Sequence, residues 1–121
     1  MLQKGDKLPT GLKGILVRPE DVEKCEGKKV SLSSLSKGQY LVLYFYPKDL
    51  TPGCTTELQM FRDLKEEIEK QGAIIVGCSR DDVKQHCKFM SKHNGNFPLL
   101  TDDTGEITEK FGVWAKKKMY G

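Results

Sequence analysis

The sequence predicts an α/β domain on three observations: apolar runs rich in β-branched and aromatic residues, amphipathic segments between them, and Gly or Pro at the junctions. Taken in order, the legible segments read strand, helix, strand, helix, strand, helix, which implies a sheet whose faces are covered by helices. At 121 residues and 37% apolar content, the chain suits one compact domain over residues 1–121 and leaves no room for a second core.

The first stretch is punctuated by Gly11, Gly14, Pro19 and Gly27, and predicts turns or a hairpin around Gly14 to Val17 and Lys29 to Leu32. The run Tyr40 to Tyr46 is continuously apolar and stops at Pro47, as a buried parallel strand should. From Pro52 to Gln71, Leu58, Phe61, Leu64 and Ile68 recur at steps of three and four with charges between them, so this is an amphipathic helix closed by Gly72. Ala73 to Cys78 is a second strand. Asp81 to Asn94 reads as a second helix, with Val83, Phe89 and Met90 facing inward and Gly95 ending it. Phe97 to Leu100 is a third strand, and Thr104 to Phe111 a third helix, with Thr104 or Asp103 as N-cap and Gly112 at its end.

Charge and composition exclude several functions. The 20 basic and 17 acidic residues are interspersed and leave a net charge of +3, too weak and too dispersed a field to gather nucleic acid. The basic run Lys116 to Lys118 reads as a solvated segment. No apolar run approaches membrane-spanning length, and Met1 to Pro9 has no apolar core of a secretory signal. A cytoplasmic protein is expected, in which Cys25, Cys54, Cys78 and Cys87, which form no regular framework, are thiols at rest.

The chemistry sits in the loop before the first long helix. Thr51 is a good N-cap, and Pro52 falls at the first helical position, where its missing N–H costs nothing. Cys54 is then the third helical residue, where a capping box puts a Glu or Gln. Unpaired N–H groups and the positive end of the helix dipole favour a thiolate there, and Gly53 adds backbone access. The competing reading is a small buried cysteine at an ordinary helix start.

The surrounding string decides between them. Tyr44-Phe45-Tyr46-Pro47-Lys48-Asp49-Leu50-Thr51-Pro52-Gly53-Cys54-Thr55-Thr56-Glu57 resembles the active-site segment of the peroxiredoxins, whose pattern is P-x-x-x-T-x-x-C, and is most similar to the bacterioferritin comigratory protein, or PrxQ, branch. Similarity continues through Phe61-Arg62-Asp63, Gly77-Cys78-Ser79-Arg80-Asp81, Phe97-Pro98-Leu99-Leu100-Thr101-Asp102 and Phe111-Gly112-Val113-Trp114. The resemblance implies a thioredoxin-like α/β sandwich. It also implies that Cys54 is the peroxidatic cysteine, whose thiolate displaces one peroxide oxygen and becomes a sulfenic acid. Thr51 would then hydrogen-bond thiolate and peroxide, Pro47 wall the pocket, the Gly53 and Cys54 backbone hold the peroxide in line, and Glu57 orient from behind. No cofactor or metal is implied. The expected partners are peroxide and a thioredoxin-like dithiol reductant, and the expected state is a monomer.

Three departures from the family pattern matter. Many members of the branch carry a resolving cysteine five residues after the peroxidatic one, and Gln59 stands there. A variant of the branch places that thiol in the helix after the second strand, which makes Cys87 the candidate resolving cysteine; a structural cysteine is the other reading, and an external thiol could resolve the sulfenic acid if no internal one does. Cys78 ends a strand as a small buried hydrophobe, and Cys25 receives no role. Second, chains of the family continue past the equivalent of Lys117 to Gly121 into a strand with an active-site arginine, a further strand and a helix. The expectation is therefore a C-terminally shortened domain, in which Arg62 and Arg80 do not match that arginine. Third, residues 12–26 recast the family's N-terminal hairpin.

His86, Cys87 and His93 share a helix, but without a C-x-x-C or H-x-x-x-H spacing they predict core or solvated histidines rather than a metal site. The leading function is a peroxidase acting on hydrogen peroxide and organic hydroperoxides. The alternative is a catalytically weak redox-sensing or interaction module of the same fold. A thioredoxin-type oxidoreductase is disfavoured because no C-x-x-C pair exists.

Overall fold

A computed structural model of the chain describes residues 11–35, 38–46 and 52–112, with 52–54 described by backbone alone. The predicted hairpin forms. Strands β1 (Lys13–Val17) and β2 (Lys28–Ser31) pair antiparallel, and between them Pro19–Asp21 make a 3₁₀ turn. Arg18 holds that turn by donating from its backbone N and its Nε to Asp21 Oδ2 at 3.2 and 3.1 Å. A single helical turn, α1 (Leu32–Leu35), follows β2 and was not foreseen.

Next come β3 (Tyr40–Phe45), α2 (Pro52–Lys70), β4 (Ala73–Ser79), α3 (Val83–His93), β5 (Leu99–Thr101) and α4 (Glu106–Lys110). They build a five-stranded sheet in the order β2-β1-β5-β4-β3, in which β3, β4 and β5 are parallel and β1 runs antiparallel to both its neighbours. Because side chains alternate along a strand, the apolar runs feed two cores. Val17, Ile75, Leu99 and Tyr46 face α2 and α3, while Leu16, Val76, Cys78 and Leu100 face α1 and α4. The first core is closed by Leu58 of α2 and by Phe89 and Met90 of α3. The second is covered less completely among the described residues: a groove of about 430 Å³ opens beside Leu16, Val30, Leu35, Ile74 and Val76.

Several expectations need correction. The run Tyr40 to Tyr46 is parallel, as predicted, but it is the outermost strand of the described sheet, so residues 41–45 are only half-buried and Tyr40 is exposed. Leu64 is exposed rather than inward: at about 100° per residue it lies some 120° round the helix from Leu58, whereas Phe61 and Ile68 stay on the packed side. The last strand is shifted to Leu99–Thr101, since Pro98 supplies only its carbonyl, to Gly77 N at 3.1 Å.

The helix caps differ as well. Asp82 and Gln85 form a capping box that starts α3 at Val83, two residues later than expected, and Asn94, at φ 53°, takes the left-handed closing position instead of Gly95. At α4 neither Thr104 nor Asp103 is the N-cap. Gly105 stands there at φ 80°, a backbone conformation that suits glycine. The orphan donors go to the buried Asp102, which accepts from Ile107 N at 3.1 Å, Thr108 N at 2.8 Å and the Thr108 hydroxyl at 2.8 Å. Gly72 and Gly112 end α2 and α4 as predicted.

Candidate active site

The strand β3 delivers the chain to the site loop. Beyond Phe45, Tyr46 N still donates to Cys78 O at 3.1 Å, so the sheet holds the backbone up to that residue. Pro47 and Thr51 lie outside the described residues, as do the side chains of Pro52 and Cys54, and Gly53 is described by its backbone. The helix α2 begins at Pro52, the register required for Cys54 to be its third residue. Among the described residues no acidic side chain stands in that first turn, and Lys70 stands in the last, so the first turn of this 19-residue helix is a place that favours an anion.

Glu57 is half-buried one position before Leu58, which is fully buried and sets the rotation of this end of α2 against the sheet. Beneath it lies an aromatic floor. Tyr44 stacks on Phe61 with ring centroids 4.5 Å apart and meets Phe97 edge-on at 5.9 Å, while Tyr46 packs on Phe89 at 5.9 Å. Gly77 makes room for the Tyr44 ring, since a Cβ there would come within 2.9 Å of its hydroxyl and 2.8 Å of Leu99 Cδ2. The Tyr46 hydroxyl and His86 Nδ1 share a buried hydrogen bond of 3.3 Å, which ties the exit of β3 to α3.

Sequence reasoning missed this Tyr46–His86 link. Tyr46 was read as strand and as part of the site segment, and His86 as a core or solvated histidine, without a bond between them; the available signal was a polar handle on each of two residues expected in the core. His86 has a core position, fully buried, and His93 meets Phe89 edge-on at 5.7 Å. Among the described residues no three His, Cys, Asp or Glu side chains gather as a metal site. Arg62 and Arg80 are engaged elsewhere: Arg62 Nη1 donates to His93 O at 2.9 Å, and Arg80 Nε donates to the Thr108 hydroxyl at 3.0 Å.

The cysteines give the largest departure from expectation. Cys87 and Cys25 are joined by a disulfide across 62 residues, with Cα atoms 5.7 Å apart, where resting thiols were expected. The reason is local. The turn after the 3₁₀ segment puts Cys25 at φ 54° and lays it over the start of α3, where its Sγ is 3.7 Å from Val83 O. Cys87 is buried, not partly exposed, and belongs to the same core cluster as Leu58, one helical turn after Cys54. Its reach to Cys54 itself lies outside the described residues. Cys78 is a free, fully buried thiol, as expected; burial, with the nearby Asp102 charge, pushes its pKa far above the ordinary thiol range, so it is inert.

Comparison with known proteins agrees with this layout. The AhpC/TSA family model matches residues 17–121. The chain is similar to peroxiredoxin Bcp of Bacillus subtilis, at 52% identity over 95 residues, covering 78% of this chain and 60% of that protein. It is also similar to a putative peroxiredoxin of Coxiella burnetii, at 41% identity, covering 99% of this chain and 73% of that one. Among solved structures, a cysteine-to-serine variant of Xylella fastidiosa PrxQ superposes with a TM-score of 0.85 at 36% identity, covering 99% of this chain and 72% of that one. Peroxiredoxin Q of Xanthomonas campestris does so with a TM-score of 0.76 at 42% identity, covering 91% and 64%. The thioredoxin-like sandwich of peroxiredoxins is therefore the fold, and the chain spans 60% of the length of the Bacillus relative.

Proposed function

The chain belongs to the AhpC/TSA family, and on that premise we propose that it is the catalytic thiol region of a peroxidase that reduces hydrogen peroxide and organic hydroperoxides. One observation carries the reading: α2 opens at Pro52, so the P-x-x-x-T-x-x-C string sets Cys54 in the first turn of a long helix, a turn that holds no acidic residue. The Cys54 thiolate attacks the distal peroxide oxygen, the O–O bond breaks, an alcohol or water leaves, and the sulfur becomes a sulfenic acid. Thr51 donates to the reacting atoms and Pro47 shields them, with Gly53 and Glu57 in support. A thioredoxin-like dithiol protein returns the thiol. The chain acts in the cytoplasm, as a monomer, and needs no metal or cofactor for this chemistry.

Hydrogen peroxide and cumene hydroperoxide consumption, with a dithiol reductant, tests the proposal. Wild type turns over both and Cys54→Ser falls to the rate of free thiols. Equal rates in the two proteins would reject it. The redox-sensing alternative draws on one observation, the Cys25–Cys87 disulfide, which pairs two of the four cysteines with each other; it predicts peroxide-dependent disulfide formation without turnover.

A further inference from the structure

We propose that Cys25 is the final resolving thiol of the cycle, which takes the disulfide off Cys54 by exchange at Cys87; this rests on the peroxidase reading above. Cys87 packs in the core cluster with Leu58, which stands one helical turn after Cys54 along α2, and its sulfur is bonded to Cys25. Cys25 itself is half-buried in a run whose neighbours Glu23, Lys24 and Glu26 are exposed, whereas Cys87 is only 7% exposed. Cys25 is therefore the more accessible end of the bond to a protein reductant. In a reducing compartment, moreover, a disulfide is most often a catalytic or sensing one rather than a permanent staple.

The steps balance. Cys87 thiol condenses with the Cys54 sulfenic acid, forming the Cys54–Cys87 bond and releasing water. Cys25 thiolate then attacks the Cys87 sulfur; the Cys25–Cys87 bond forms, the Cys54–Cys87 bond breaks, and the electron pair leaves on Cys54. The direction follows from chemistry, since exchange is faster when the departing thiolate is the more stable one, and the α2 N-terminus stabilises a thiolate at Cys54. Finally, one thiol of an external dithiol attacks Cys25, and its second thiol resolves the mixed disulfide, restoring both cysteines and oxidising the dithiol. Cys54 is thereby freed for another peroxide before the slower protein–protein reduction occurs.

Fully reduced protein given one equivalent of hydrogen peroxide, quenched in acid and mapped by non-reducing peptide mass spectrometry, tests the relay. Wild type should yield Cys25–Cys87 with Cys54 as the thiol. In Cys25→Ser the Cys54–Cys87 peptide should rise at least about tenfold over wild type, because its exit is blocked. Cys25→Gly, which suits the left-handed backbone at this position, should trap the same peptide and guards against misfolding of the serine variant. Cys54→Ser should form no Cys25–Cys87 in the same time. A wild type that stops at Cys54–Cys87 with Cys25 free overturns the relay while peroxide consumption leaves the peroxidase reading intact. Formation of Cys25–Cys87 in Cys54→Ser at the wild-type rate also overturns it. Absence of peroxide consumption above background in wild type removes both.

Discussion

Cys78 shows how surroundings set the chemistry of a thiol. Cys78 is sealed between the sheet and α4, and burial makes its thiolate costly. The sign of the consequence is definite. Its folded pKa lies above the ordinary thiol value of 9.0, so above that pH the unfolded chain releases a proton that the folded one keeps, and stability falls as pH rises. The slope from this one residue approaches about 1.4 kcal/mol per pH unit. Urea unfolding at pH 8 and pH 10.5 should show a steeper loss for wild type than for Cys78→Ala; parallel losses would contradict the assignment. At this scale the sequence was informative where a residue's partners are local. The start of α2 at Pro52, which sets the register of Cys54, was legible because capping is decided within one helical turn. Cys25 was not, because its partner lies 62 residues away and its position depends on a left-handed turn that nothing in Glu23-Lys24-Cys25-Glu26 announces.

Among the elements, α2 was read best: its start at Pro52 and its end before Gly72 follow from Pro, Gly and a regular apolar stripe. The exception, Leu64, has the right spacing to its neighbours but drifts off the packed side, which periodicity counted over short steps does not register. The start of α4 was misread because its cap is supplied from outside the usual position. Asp102, 1% exposed, satisfies two backbone N–H groups and a hydroxyl of that helix. Replacing it with Ala leaves two buried donors unpaired, and Asp102→Ala should lose about 3 kcal/mol of unfolding free energy, with Asp102→Asn losing less because one acceptor oxygen remains. Urea denaturation measures both. A loss below about 1 kcal/mol for the Ala variant would mean that water takes over the cap.

For the whole molecule, the alternation of strands and helices along the chain implied a sheet covered on its faces, but not the order β2-β1-β5-β4-β3 or the mixed direction of the sheet. Those depend on pairings such as Ile15 with Thr101, which local patterns do not encode. The Cys25–Cys87 bond adds a covalent tie between the N-terminal hairpin and α3 on one face of that sheet. Closing a loop of 62 residues in the unfolded chain should stabilise the oxidised protein by up to about 4 kcal/mol on the chain-entropy account. The urea midpoint should therefore fall on reduction with a small phosphine, and Cys25→Ser under oxidising conditions should match reduced wild type. An unchanged midpoint would show that the bond constrains nothing.

The claim on which the account depends is that peroxide oxidises Cys54 first. Fully reduced protein treated with hydrogen peroxide in the presence of dimedone, a trap for sulfenic acids, and digested for mass spectrometry tests it most directly. The account predicts the adduct on the peptide containing Cys54 before any appears at Cys25, Cys78 or Cys87. Early labelling at Cys25 or Cys87, with Cys54 still a free thiol, would contradict it.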